Sequence, residues 1–161
     1  MQLDWEGLFR RYVFDPEKTP YFTPVGRLTK SQAGNEIFVF SLFVGIFFVV
    51  LGVAALAGRL PDKDALIVPV FAFFTAWTAV AFWWTRSQMA AAFAALGPLA
   101  VLLYCLVYGF AQGLGLWDKV LIVVVLIAWL HYSWRIVRLA AAWPTMPPGA
   151  PPRRGRRNPF I

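Results

Sequence analysis

Charge is what this sequence has least of. Only 14% of its 161 residues are Asp, Glu, Lys or Arg, against 60% that are hydrophobic. A soluble domain is about a quarter charged, so this chain has too little polar surface to cover itself with water. Acidic side chains are the scarcer kind, eight against fifteen basic ones, and all eight lie outside or at the edges of the apolar runs. That placement excludes a carboxylate pair for acid–base work inside the chain. A single cysteine, Cys105, excludes an internal disulfide and a thiolate metal cluster. In its apolar run it reads as a small hydrophobe. A single histidine, His131, excludes a haem held by two histidines of this chain and any HExxH zinc site. There is no serine–histidine arrangement and no glycine-rich phosphate loop. Catalysis and a bound metal are therefore not expected. The opening "MQLDWEGLFRR" lacks a basic stretch ahead of an apolar one, so no cleavable signal peptide is expected.

What the chain has in abundance is long apolar runs, with 8 Trp, 5 Tyr and 15 Phe. About 20 apolar residues cross a hydrocarbon core. Four runs qualify: 37–57, 65–84, 89–110 and 120–139. Backbone in lipid must satisfy its own hydrogen bonds, so each is expected to be a helix. The connections are short, which predicts an all-α membrane protein, an antiparallel bundle of four transmembrane helices over 29–142. Residues 1–28 and 143–161 form its flanking ends.

The net charge of +7 is then a question of sidedness, not of nucleic acid. The two ends and the second connection carry Arg10, Arg11, Lys18, Arg27, Lys30, Arg86, Arg135, Arg138, Arg153, Arg154, Arg156 and Arg157. The first and third connections carry Arg59, Lys63 and Lys119. Twelve against three puts both termini in the cytoplasm of a bacterial-type inner membrane. Trp83, Trp84, Trp117 and Trp134 mark span boundaries as interfacial anchors, while Trp77 and Trp129 are open to a core role.

Trp5, Leu8, Phe9, Tyr12 and Val13 recur at helical spacing, which predicts a short amphipathic helix on a membrane or partner surface. Pro16, Pro20 and Pro24 keep the next segment from continuing as a helix. Thr29 with Gln32 has the form of a capping box for the first long helix. The end, "WPTMPPGAPPRRGRRNPFI", is proline-rich and then basic, suited to anionic headgroups or to an acidic partner groove. Contacts with lipid or a partner are thus expected at Trp5, Arg10, Arg11, Arg135, Arg138, Arg153, Arg154, Arg156 and Arg157.

Inside the spans, Ser41, Gly45 and Gly52 form a small-residue stripe on the first. Ala91, Ala95 and Gly97 do so on the third, where Pro98 predicts a bend. Pro69 predicts a kink in the second span. Tyr104, Tyr108 and Gln112 step by four and border a candidate crevice. His131, Arg135 and Arg138 share a helix face. At 1.5 Å per residue, His131 lies about 6 to 10 Å inside the arginine boundary. A shallow histidine beside Trp and Tyr reads first as an anchor. It is also the one candidate cofactor ligand, for a chlorophyll-type pigment or a haem. As a proton carrier its nearest carboxylate would be Glu36. A lone intramembrane histidine followed by aromatics, arginine and a proline-rich exit resembles bacterial light-harvesting polypeptides. Those cross once and space their Trp and Arg differently, so the resemblance does not place this chain among them. The function expected is a non-catalytic accessory subunit of a larger inner-membrane complex, respiratory or photosynthetic. The alternatives are a pigment- or cofactor-binding protein using His131 and a small transporter or channel.

Overall fold

In the computed structural model, residues 23–60, 66–110 and 113–149 are described. The predicted helix over residues 5–13 and the basic tail fall outside them. Among the described residues there are five α-helices and no strand: α1 Lys30–Leu56, α2 Ile67–Thr85, α3 Gln88–Ala95, α4 Gly97–Tyr108 and α5 Leu116–Ala142. With α3 and α4 taken as one span, four helical spans are long and apolar enough to cross a membrane.

The starts of the helices follow from local chemistry. Thr29 caps α1: its amide donates to Gln32 Oε1 at 3.1 Å, and the Gln32 amide donates to Thr29 Oγ1 at 3.4 Å. Another amide of that first turn without an intrahelical acceptor, Lys30 N–H, donates to the Pro147 carbonyl at 3.0 Å. At α5, Asp118 accepts from the Gly115 amide at 2.9 Å, which also places an acid at the positive pole of the helix. Pro69 does not kink α2. The helix begins at Ile67, so Pro69 sits in the first turn, where an amide would have no intrahelical partner anyway. Pro98 does interrupt the third span: α3 ends at Ala95 and α4 restarts at Gly97.

Packing sets large side chains against small ones. The inner face of α1 presents Ile37, Phe40, Val44 and Phe48, while α2 and α3 face inward with Ala72, Ala76, Ala79, Ala91 and Ala94. α1 lies against α2, α2 against α3, and both α3 and α4 against α5. Along the first of these seams Phe38 meets Trp83, Phe40 meets Phe82 and Phe48 meets Phe71. Large rings fill the gap between α1 and α5, where Trp129 sits 5.1 Å from Phe43 and 5.0 Å from Phe47. Offset and edge-on rings at such distances attract beyond the area they bury. The outward faces remain apolar, with Trp77, Trp84, Val107 and Trp117 all at least 70% exposed. A surface of that kind is what lipid covers and water does not.

Candidate functional site

The only acid of the first span is completely enclosed. Glu36, in the second turn of α1, has a side chain with 0% exposure. An isolated buried carboxylate is too costly to persist, so partners have to surround it. Arg135 of α5 provides them from across the bundle: Nε donates to Oε1 at 2.7 Å and Nη2 to Oε2 at 3.1 Å. This is the forked arrangement that makes arginine–carboxylate pairs strong. Tyr132, one turn earlier on α5, donates its hydroxyl to Oε1 at 3.1 Å. Arg135 also donates from Nη1 to the Thr23 carbonyl at 2.8 Å. Groups from three separate stretches of the chain, at Thr23, Glu36 and Tyr132 with Arg135, thus meet at one end of the bundle.

The same end holds the described limits of the chain. Thr23 is pinned by Arg135. The exit of α5 turns through a short 3-10 helix, Trp143–Thr145, and returns over the start of α1. Met146 is buried, and a side chain on Gly149 would collide with the Ser31 Cβ at 2.6 Å. Trp143 stacks toward Gly34 on one side and lies under the Arg86 guanidinium, 5.3 Å from the ring centre, on the other. Thr23 and Gly149, the first and last described residues, therefore lie at the same end of the body.

His131 is not part of this cluster. It is exposed and lines a separate apolar groove of about 580 Å³ between α3 and α5, shared with Ala92, Ala95, Ser133 and Trp134. The Ser133 hydroxyl is buried there and, among the described residues, has no hydrogen-bond partner. The carboxylate considered for a relay with His131 is instead held by Arg135. Among the described residues no three of His, Cys, Asp and Glu gather as a metal-binding group.

Other expected positions separate by side. Arg138 is exposed, as a lipid or partner contact has to be, whereas the Arg135 guanidinium is turned inward onto Glu36. Trp5, Arg10, Arg11, Arg153, Arg154, Arg156 and Arg157 lie outside the described residues. Of the packing residues, Ser41, Gly52, Ala91 and Gly97 are buried; Ala95 is half-buried on the His131 groove, and Gly45 faces open space. The expected interfacial anchors Trp83, Trp84, Trp117 and Trp134 are all exposed, by 40% to 82%; Trp129 is half-buried against the core and Trp77 faces out. Tyr104 and Tyr108 stack at 4.9 Å and border a crevice of about 410 Å³ with otherwise apolar walls.

Sequence reasoning missed Tyr132 and the Thr23 carbonyl. A signal for the cluster was available in Glu36 itself, since an acid that begins an apolar helix has to find a cation at its own depth. No family model matches this chain, and no curated protein or solved structure does.

Proposed function

We propose that the protein is a non-catalytic accessory subunit of a larger bacterial inner-membrane complex, an antiparallel four-span bundle with both termini in the cytoplasm. One observation carries the docking part of this reading. Arg135 holds Thr23, and the Lys30 amide holds Pro147, at a single end of the body. The sequence beyond these two points carries Arg10, Arg11 and Lys18 on one side and the four tail arginines on the other, which would give a divalent handle for one acidic partner surface. The order of ring contacts supports the antiparallel arrangement, because positions rise along α1 as they fall along α2. The basic residues gathered at that end support the orientation.

The test is extraction in mild detergent followed by native electrophoresis. The 18.1 kDa chain should run within a much larger species. Replacing Arg153, Arg154, Arg156 and Arg157 together by Ala should release it. A stable lone monomer from untreated membranes would remove the subunit reading.

The His131 groove favours a second reading, a pigment- or haem-binding protein with His131 as the axial ligand. Its apolar walls and the unpartnered Ser133 hydroxyl suit a planar apolar ligand with a polar rim. Visible absorbance of material purified from native membranes, bleached by His131→Ala, would support it; colourless material would end it.

A further inference from the structure

Arg86 closes α2 in a manner that its residue type disfavours. It is the one non-glycine among the described residues with a left-handed backbone, at φ 56°. A side chain with a Cβ resists that region, so its surroundings hold it there. The guanidinium sits within cation–π distance of Trp143. Its Nη1 is nevertheless buried and, among the described residues, meets no hydrogen-bond acceptor. The acids of the described helices are already engaged, Glu36 by Arg135 and Asp118 by the Gly115 amide. Next to Arg86 lies an open recess of about 300 Å³, walled by Trp83, Trp84 and Arg86 itself.

We propose that this recess seats the phosphodiester of an anionic phospholipid headgroup, with Arg86 as its counter-charge. Nη1 itself is closed off, but Arg86 forms part of the recess wall, and a cation among indoles with no anion beside it among the described residues calls for an acceptor from outside. The planar fork of arginine fits phosphate oxygens better than any other side chain does. α3 starts two residues later, and although the Ser87 hydroxyl caps its Ala90 amide, the positive pole of the helix adds potential to the same connection. A lipid is favoured over a free anion because of the surface that continues from the recess. Trp84, Val80, Trp77 and Phe73 succeed one another down α2 at steps of four and three, all of them exposed. That stripe is a bed for an acyl chain hanging from the bound headgroup, and Trp83 and Trp84 suit headgroup depth.

The experiment uses the full chain in a non-ionic detergent, washed free of native lipid. It is titrated with phosphatidylglycerol, phosphatidylcholine and inorganic phosphate, and followed by tryptophan fluorescence and native mass spectrometry. Phosphatidylglycerol should bind saturably and more tightly than phosphatidylcholine, and inorganic phosphate should not displace it. Arg86→Gln should weaken phosphatidylglycerol by at least about tenfold. Arg86→Lys should keep part of the affinity, and Arg138→Gln, at an exposed arginine elsewhere, should keep all of it. Undiminished binding by a folded Arg86→Gln overturns the proposal. So does equal affinity for phosphatidylcholine, and displacement by phosphate would assign the recess to a free anion instead. Should Arg86→Gln fail to fold, the lysine variant and the two competitions on the unaltered chain still decide.

Discussion

Glu36 and Arg135 illustrate how little choice a buried charge leaves its surroundings. With the carboxylate fully enclosed, removing either partner strands the other among apolar groups. Glu36→Gln or Arg135→Gln should each destabilise the bundle by about 3 kcal/mol, the lower end for a buried pair because Tyr132 and Thr23 still offer contacts. The double variant should cost clearly less than the two added together, by more than about 1 kcal/mol. Reversible unfolding in mixed micelles measures all three, and additive losses would mean that the pair contributes no coupling. Three small residues give a graded test of packing. A methyl on Gly97 would stand 2.6 Å from the buried Phe48 ring, so Gly97→Ala should cost about 1–3 kcal/mol and be partly rescued by Phe48→Leu. At Gly52 the nearest atom is 3.0 Å away on Phe73, whose ring is 39% exposed and can move aside. Gly45 meets nothing within 4 Å, and Gly45→Ala should be neutral or stabilise by up to about 1 kcal/mol through helix propensity. Equal effects at Gly97 and Gly45 in the same unfolding assay would contradict this packing.

At the scale of the element, the helices were legible from the sequence because their determinants are local. Long apolar runs gave four spans, and the Thr29–Gln32 box gave the true start of α1, well before its apolar part begins. Pro98 gave the break between α3 and α4. Pro69 misled because a proline kinks a helix only when a full turn precedes it, and here the helix starts too late. The face of α5 was only half legible. His131 and Arg135 are four residues apart, which on a helical wheel leaves about 40° between them. That angle suffices to turn the longer side chain into the seam with α1 while the imidazole faces the groove. No single-helix pattern reveals which seam is occupied, and the partner, Glu36, lies 99 positions away in the chain. The start of α1 provides a prediction at this scale. Thr29→Ala removes half of the box, should cost about 1 kcal/mol, and should speed amide hydrogen exchange at Gln32 and Ala33 ahead of the rest of α1. Unchanged exchange there would mean that the Pro147 carbonyl alone holds this end.

For the whole molecule, the open question is sidedness, and charge and shape can be set against each other to answer it. If the bundle spans a bilayer with its ends together, Gly26 and Arg59 must lie on opposite faces, separated by the length of α1. A 27-residue helix rises about 40 Å, more than the roughly 30 Å hydrocarbon core. Gly26 is exposed and a Cβ added to it would meet nothing within 4 Å, and Arg59 is exposed just past the end of α1, so cysteines are tolerable at both. In a Cys105→Ala background, Gly26→Cys should react with an impermeant maleimide only after inverted vesicles are prepared or cells are opened. Arg59→Cys should react from the periplasm of intact spheroplasts. The reverse pattern would invert the topology without disturbing the fold. Reaction of both from one face would deny that α1 crosses at all. The partition of twelve basic residues against three makes the first outcome the expected one. Moving charge should then shift it: replacing Arg10, Arg11, Arg27 and Lys30 by Gln while adding Lys at Ala57 weakens the asymmetry that holds the first span in place. A mixed labelling pattern from that variant, with the unaltered chain labelled uniformly, would identify charge rather than helix packing as what orients the bundle.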